Sequence, residues 1–96
     1  MIKLSTYGKN ISVSPALKEY LTDKLLRLEK YAGRIESARA DFSLNKHHRQ
    51  GLISSLRLII NTSIGIVTAE SENEDFYSAI DTAQEKIEKQ LRKIKL

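Results

Sequence analysis

The chain contains no cysteine and no tryptophan, and it has one proline and four glycines among 96 residues. The lack of cysteine excludes disulfides and thiolate metal ligands, and it fits a reducing compartment such as the cytoplasm. No apolar run of signal-peptide length follows a basic N-terminal region, and the longest apolar stretch, Leu58-Ile59-Ile60, is too short to span a bilayer. We therefore expect one cytoplasmic domain, residues 1–96, with a single core and no membrane contact.

Signatures of catalysis and of metal binding are also missing from the sequence. There is no Gly-x-Ser-x-Gly or Gly-x-Gly-x-x-Gly motif and no glycine-rich phosphate loop, so we expect neither an enzyme nor a bound cofactor. The only histidines, His47 and His48, are adjacent and would point in opposite directions in an extended segment. No cysteine or acidic cluster lies near them, and we expect no metal site.

The charge of the chain is unevenly distributed along the sequence. Sixteen basic residues against twelve acidic ones give a net charge of +4. One acidic block consists of Glu70, Glu72, Glu74 and Asp75, whereas residues 86–96 carry five bases and one acid. An excess of positive charge is common on ordinary solvated surfaces, but its concentration at one end also fits an acidic partner.

Two stretches have the apolar spacing of amphipathic helices. Ser14 can accept hydrogen bonds from free backbone N–H groups and Pro15 fits the first helical turn, so a helix should begin there. Gly33 suits the left-handed residue that follows a helix. A second helix should follow a cap at Asn73 or Asp75 and run to the C-terminus. The apolar stripes of the two helices are Leu17, Leu21, Leu25, Leu28 and Ala32, and Phe76, Ile80, Ala83, Ile87, Leu91 and Ile94.

Four other stretches, 2–7, 35–44, 52–60 and 64–68, alternate with the period of a strand. The alternating sets of the last two are Leu52, Ser54, Leu56, Leu58 and Ile60, and Ile64, Ile66 and Thr68. In the order βαβββα, a helical crossover makes the first two strands parallel, and short links make the last three an antiparallel meander. The predicted fold is therefore α+β, with a four-stranded mixed sheet and two helices packed on one face.

The charged residues of the second helix are sorted onto two flanks. A helix selected only for solubility would mix the signs as pairs four residues apart, so the sorting favours an anion-binding flank. However, bases in the last turn also offset the helix macrodipole, by about 0.3–1 kcal/mol each, without any ligand. This helix alone leaves both interpretations open. The two flanks consist of Lys86, Lys89 and Lys93, and of Asp81, Glu85 and Glu88.

One edge of the first helix alternates aromatic and basic residues: Tyr20, Lys24, Arg27 and Tyr31. Cations can bind phosphates while rings stack on unpaired bases, so the mixture favours nucleic acid. The alternative is that the tyrosines pack at the margin of the core with their hydroxyls in water, which is the more common arrangement. If the basic edges of both helices flank one groove, the sequence predicts a single concave surface for RNA, to which loop residues 46–49 could add charge.

Two segments of the chain resemble the bacterial ribosome hibernation promoting factors. The run GKNISVSPALKEYLTDKLLRLEKYAGRI, residues 8–35, resembles the N-terminal signature of that family, and DFYSAIDTAQEKIEKQLRK, residues 75–93, resembles its second helix. The resemblance implies a fold related to double-stranded-RNA-binding domains. It also implies a stress or stationary-phase protein that occupies the channel for mRNA and for the aminoacyl and peptidyl tRNAs on the small ribosomal subunit. There it would halt translation and favour ribosome dimers.

The resemblance also implies that basic residues of both helices bind rRNA: Lys24, Arg27, Lys86, Lys89 and Lys93. The residue pattern adds Tyr31 and Arg92 to this predicted site, although basic character is less regular in the family at the position of Arg92, and it adds candidate loop contacts from Lys46, His48 and Arg49. The chain ends at Leu96, where long members continue into a dimerisation domain, so it resembles the short form. We then expect a chain that is monomeric when free and that needs a separate ribosome modulation factor to pair ribosomes. The stretch 46–69 is several residues longer than in other short members.

Two further classes of function are compatible with these patterns. The first is a protein-binding regulator, since relatives of the family are described as modulators of a sigma factor. The second is a binder of free duplex RNA, which is disfavoured because the start of the second helix carries acids where such binders carry lysines.

Overall fold

The computed structural model describes residues 2–47, 49 and 51–94. The elements are β1 (Lys3–Lys9), α1 (Pro15–Ala32), β2 (Ile35–His47), β3 (Gly51–Thr62), β4 (Gly65–Asn73) and α2 (Phe76–Ile94). The strands form one sheet in the order β1-β2-β3-β4, with β1 parallel to β2 and the other two pairings antiparallel. The predicted α+β class, the βαβββα order and the mixed sheet are therefore confirmed.

Both helices begin at the caps that the sequence predicts. The Ser14 hydroxyl accepts a hydrogen bond from the Leu17 backbone N–H at 3.1 Å, and Pro15 occupies the first turn. For α2, the cap is Asp75, whose carboxylate accepts from the backbone N–H three residues ahead at 2.8 Å. The first helix ends at Ala32 and is followed by Gly33, whose φ of 76° is unfavourable for residues with a side chain.

The core lies between the helices and one face of the sheet. The whole α1 stripe and the α2 stripe from Ile80 to Leu91 are buried, as is Ala79, and they form one cluster with buried residues of β2, β3 and β4. The side chain of Ile94 lies outside the described part of the chain. Each buried leucine or isoleucine contributes about 1.5–3 kcal/mol, so this cluster is the main stabilising feature of the fold.

The first strand is longer than the sequence pattern predicts. Alternation suggests a break at Gly8, but β1 continues to Lys9 and pairs with β2 through Ser43. Gly8 belongs within the strand because the chain turns back at Asn10, and a Cβ at Gly8 would overlap the carbonyl oxygen of Ile11. The glycine therefore permits a close crossing of backbone segments and does not end the strand.

In β4 the alternating residues that face the core are not those that the sequence pattern indicates, Ile64, Ile66 and Thr68. Ile66 is 69% exposed, and the residues that face the core are Val67, Ala69 and Ser71. The register with β3 decides this, because Val67 lies directly opposite the fully buried Ile60. In β3 the core set runs from Ser54 to Ile60 as predicted, but Leu52 is 55% exposed because it lies in the β2–β3 hairpin, beyond the residues that pair with β4.

The two helices run parallel to each other. Tyr20 contacts Asp81 near the helix starts and Tyr31 contacts Arg92 near the helix ends, with the same separation of 61 residues in the sequence. This direction follows from the topology. The strands β1 and β4 run in the same direction, and the helix that follows each of them returns across the same face of the sheet. One flank of α2 therefore faces α1, and the other faces the free edge of β4.

Candidate nucleic-acid interface

The start of the α1–α2 contact is a cluster of Tyr20, Lys24 and Asp81. The Tyr20 hydroxyl donates to Asp81 Oδ1 at 2.6 Å, and Lys24 Nζ lies 3.4 Å from the same oxygen. The hydrogen bond to this carboxylate, together with burial, raises the pKa of Tyr20 above its ordinary value. The Lys24 side chain is only 18% exposed and its ammonium lies 5.1 Å from the centre of the Tyr20 ring. Lys24 is therefore neutralised by Asp81 within the fold.

A second cluster closes the same contact near the helix ends. Arg92 Nη2 donates to the Tyr31 hydroxyl at 3.3 Å and lies 3.7 Å from a Glu88 oxygen. These two contacts raise the pKa of Arg92. The Tyr31 ring also has the Lys30 ammonium at 5.0 Å and the Arg92 guanidinium at 5.1 Å from its centre. Tyr31 and Tyr20 both pack against the core, as the alternative interpretation of these tyrosines predicts, but their hydroxyls bind Arg92 and Asp81 of α2.

The lysine flank of α2 faces away from α1, over β4. Lys86 Nζ donates to the backbone carbonyl of Glu70 at 2.6 Å, and Gln90 Nε2 donates to that of Thr68 at 2.7 Å. These carbonyls alternate along a strand that has a neighbour only on its other side. Two side chains one helical turn apart thus provide hydrogen-bond donors to the free sheet edge. The other bases of this flank, Lys89 and Lys93, are exposed.

The prediction of one concave groove flanked by the bases of both helices is wrong. Lys24 lies on the side of α2 that faces α1, whereas Lys86 lies on the opposite side, at the β4 edge. The carboxylates of Asp81 and Glu88 occupy the flank between them. The charges of α2 are sorted onto two flanks as the sequence predicts. However, the flank that faces α1 is the acidic one and not the lysine flank. The bases therefore form two separate surfaces.

The remaining predicted positions that the structure describes are exposed, on α1 and at the β2–β3 hairpin. Arg27 is exposed on α1. Lys46 and Arg49 are exposed at the β2–β3 hairpin, and His48 lies outside the described residues. The base of this hairpin adjoins the start of α2, where Ser54 Oγ approaches the Glu74 carbonyl at 3.5 Å. Since α2 has 19 residues and rises about 1.5 Å per residue, roughly 28 Å separate its start from its end. The hairpin bases are therefore distant from Arg92.

Within the described residues, no three His, Cys, Asp or Glu side chains lie close enough together to hold a metal ion. No helix in that part of the chain is both long and apolar enough to cross a membrane.

Comparison with known proteins decides the family. Residues 4–96 match the family described as sigma 54 modulation protein / S30EA ribosomal protein. The chain belongs to this family. Three relatives carry the name ribosome hibernation promotion factor, from Deinococcus radiodurans (34% identity), Bacillus subtilis (38%) and Staphylococcus aureus (29%). The matches cover 92%, 92% and 99% of this chain but 46%, 46% and 49% of those proteins, so the chain spans about half of their length.

Two solved structures have the same fold. A ribosomal subunit interface protein from Coxiella burnetii superposes with a TM-score of 0.83 at 27% identity, covering 99% of this chain and 98% of that one. The Protein Y N-terminal domain from Thermus thermophilus gives 0.82 at 26% identity, with coverage of 97% and 98%. The resemblance carried by the two sequence segments is therefore confirmed at the level of family and fold.

Asp81 is the residue of this interface whose role the sequence did not reveal. Its helical position, well off the apolar stripe, indicated only a solvated carboxylate. The informative signal was topological: parallel helices place Tyr20 and Lys24 beside the α2 flank that contains Asp81. Matching the two flanks after fixing the helix direction would have predicted the contact.

Proposed function

We propose that this chain is the ribosome-binding domain of a hibernation factor. It binds the small ribosomal subunit and its rRNA in the channel for mRNA and for the A- and P-site tRNAs. It thereby inhibits translation in the cytoplasm under stress or in stationary phase, and it favours ribosome dimers with the help of a separate modulation factor. The shared family and the names of the three relatives support this proposal.

The observation that carries the proposal is the exposed basic flank of α2. Lys89 and Lys93 are exposed, and they follow Lys86 at spacings of three and four residues. Arg92, on the flank that faces α1, is 61% exposed even though it contacts Tyr31 and Glu88. Cations fixed along one rigid helix suit the regularly spaced phosphates of folded RNA. The mechanism is occupation of a channel and requires no bond to be made or broken.

The decisive experiment removes this flank without changing the fold. In the Lys89→Glu/Lys93→Glu variant we expect loss of co-sedimentation with purified small subunits, because both side chains are exposed and neither is needed for the core. The matched control is Lys3→Glu/Lys9→Glu, which makes the same change in net charge on exposed residues of β1. Equal sedimentation of the two variants would remove the proposed surface. Thermal melts should agree for all three proteins.

Salt dependence gives an independent measure of the same contacts. The logarithm of affinity should fall with the logarithm of salt concentration, by about 0.7 for each phosphate bound in single-stranded RNA. Replacing Lys89 and Lys93 should therefore reduce the slope by about 1.4, twice the single-contact value. A slope that does not change would mean that these lysines bind no phosphate.

The location on the subunit and the pairing of ribosomes need separate tests. If the chain occupies the tRNA and mRNA channel, then prebound mRNA and P-site tRNA should prevent its binding. Sucrose gradients of growing and starved cells, probed for the chain, should place it in the subunit, monomer or dimer fractions. Recovery only in the ribosome-free fractions of starved cells would contradict the proposal.

The description of the family also supports a second candidate, the modulation of a sigma factor. In that case the partner is a protein, held mainly by apolar contacts with modest dependence on salt. Addition of purified sigma 54 to the chain, followed by size-exclusion chromatography, distinguishes the two functions. We expect no complex, since the exposed surface of the helices is predominantly charged.

A further inference from the structure

The sheet face opposite the helices is covered by no element of the described chain. We name it the outer face. It carries outward-pointing residues from all four strands, among them Tyr7, which is 53% exposed, and Ile66, which is 69% exposed. The pairing register places these residues in rows that run across the sheet from β1 to β4. The order of charges within the rows indicates what this face binds.

One row reads Lys9, Ser43, Ser55 and Glu72. The first pair is adjacent across β1 and β2, the second across β2 and β3, and the third across β3 and β4. Lys9 and Glu72 are exposed, and the two serines are partly exposed. The row therefore has a cation at one edge of the sheet, an anion at the other edge, and two small hydroxyl side chains between them.

The neighbouring row reads Tyr7, Asp41, Arg57 and Glu70. Arg57 Nε lies 3.6 Å from Glu70 Oε1, and both side chains are mostly exposed, at 60% and 75%. Asp41 is held by Arg39 at 3.1 Å and keeps 34% of its side chain exposed. The centre of this row thus pairs an anion on β2 with a cation on β3, and each remains accessible from outside.

We propose that the outer face is a homodimer interface, in which two copies stack face to face about a two-fold axis parallel to the strands. This operation places β1 of one copy over β4 of the other, and β2 over β3, within the same row. Lys9 then faces Glu72 of the second copy, and Asp41 faces Arg57 of the second copy. Ser43 faces Ser55, and Tyr7 faces Glu70. Both rows are self-complementary under this axis, because the two ends of each row differ in charge or hydrogen-bonding character.

The other two-fold arrangement in the plane of the interface is disfavoured by like charges. An axis perpendicular to the strands would lay β1 on β1 and reverse the order of the rows. Lys3 of one copy would then face Lys9 of the other, since these lysines are at opposite ends of the same strand. Like charges in direct opposition oppose association. Arg39 would face Asp41 in that arrangement, but these residues already pair within each copy at 3.1 Å. The axis parallel to the strands is favoured because it alone opposes Lys9 to Glu72 and Asp41 to Arg57, two pairs of opposite charge that a single copy does not make.

The size of the face predicts a weak dimer. Four strands about 4.8 Å apart and the seven residues of β1 at about 3.3 Å each give a face of roughly 19 by 23 Å, or about 440 Å² per copy. Two such faces bury less than the roughly 1,200 Å² of the smaller stable interfaces. A depression of about 840 Å³, lined partly by Ser43 and Ser55, leaves room for bridging water at the end of the face that carries Lys9 and Glu72. We expect a dimer that forms at high chain concentration and dissociates with added salt.

The test uses the pair Lys9 and Glu72, because these residues lie on opposite edge strands of one chain. Three strand spacings, about 14 Å, separate them, so they interact little within a copy. Sedimentation equilibrium of the intact chain at up to about 1 mM and low salt should show a monomer–dimer equilibrium. Lys9→Glu alone and Glu72→Lys alone should each weaken the dimer at least about tenfold. An equimolar mixture of the two variants should restore association, because each copy then offers the charge that the other lacks.

Control variants distinguish contact through the outer face from association elsewhere on the chain. Lys89→Glu makes the same charge change on α2 and should leave the dimer constant unchanged. The double variant Lys9→Glu/Glu72→Lys should dimerise like the original chain, and melting curves should show that every variant is folded. A chain that stays monomeric at the highest concentration overturns the proposal. So does a dimer that is insensitive to both single reversals, or a mixture that fails to associate. Ribosome binding is measured at far lower concentrations, so its outcome does not affect this test.

Discussion

Tyr20 and Asp81, 61 residues apart in the sequence, are joined by a 2.6 Å hydrogen bond that ties the first half of α1 to the start of α2. Lys24 shares the same carboxylate oxygen at 3.4 Å. The contact fixes the relative position of two helices that carry most of the predicted RNA-binding residues. It also uses one of those residues, Lys24, within the fold.

The Tyr20–Asp81 contact predicts a specific loss of stability at alkaline pH. The folded chain holds the Tyr20 proton above the ordinary pKa of 10.0, because the hydrogen bond to Asp81 raises that pKa. Its contribution is complete below about pH 10 and decreases as the pH rises through the raised value. The difference in unfolding free energy between the original chain and Tyr20→Phe, from urea titrations, should therefore be constant near neutrality and shrink above about pH 10.

The matched control for this prediction is Tyr77→Phe. Tyr77 is 44% exposed and its ring packs against the edge of the Tyr20 ring, a contact that phenylalanine keeps. Its effect on stability should be small and should not vary with pH. If the difference in unfolding free energy between the original chain and Tyr20→Phe stays constant through the alkaline range, the proposed role of the phenol proton is wrong.

Two adjacent leucines of α1 should respond very differently to truncation. Leu25 is fully buried between the helices and the sheet, whereas Leu26 is 52% exposed. Leu25→Ala should lower the free energy of unfolding by about 2–5 kcal/mol, because it removes buried methyl groups and leaves a cavity. Leu26→Ala should change it by less than about 0.5 kcal/mol. Chemical denaturation measures both, and similar losses would contradict the described packing of α1.

The donors at the β4 edge should protect the protein from strand addition. Lys86→Met/Gln90→Met removes the hydrogen bonds to the Glu70 and Thr68 carbonyls while keeping side chains of similar length. We expect a loss of about 1 kcal/mol, since each net hydrogen bond contributes about 0.5–1.5 kcal/mol and this edge is near water. We also expect faster growth of thioflavin-positive aggregates, because two free acceptors become available to another strand. The control is Lys89→Met. Lys89 lies on the same flank, but the described structure shows no hydrogen bond from it to a β4 carbonyl.

Removal of the Asp81 charge should strengthen RNA binding. In Asp81→Asn the amide oxygen can still accept from Tyr20, but the anion beside Lys24 is lost. A charge about 4 Å away contributes roughly 1 kcal/mol in water, so affinity for small subunits should rise about fivefold at low salt. The gain should disappear at high salt. Glu72→Gln makes the same change on the outer face and should have no effect on subunit binding, and a gain of equal size there would point to net charge alone.

The fold could be predicted from local patterns because each one had a direct physical cause. Ser14-Pro15 favours a helix start, and the spacing of the leucines from Leu17 to Leu28 brings them onto one face of a helix, where they are buried together. The connection from β1 through α1 to β2 required a parallel pairing. These inferences depend on neighbouring residues or on a general rule of handedness, and tertiary contacts did not override them.

Features that depend on long-range pairing could not be predicted in this way. In β4 both alternating sets contain apolar residues, and only the register of Val67 against Ile60 decides that Ile66 faces outward. The same applies to the basic residues, since a helical wheel shows which share a flank but not what that flank faces. The direction of α2 relative to α1 settles that question.

If the chain binds rRNA as proposed, the separation of the bases onto opposite flanks of α2 limits the shape of the RNA. Two backbones held on these flanks are kept apart by at least the width of the helix, about 10–12 Å with its side chains. We expect the chain to select RNA by the distance between two of its strands, and the identity of the bases should matter little. A rigid spacer of this kind fits only where the RNA already holds two strands at that distance.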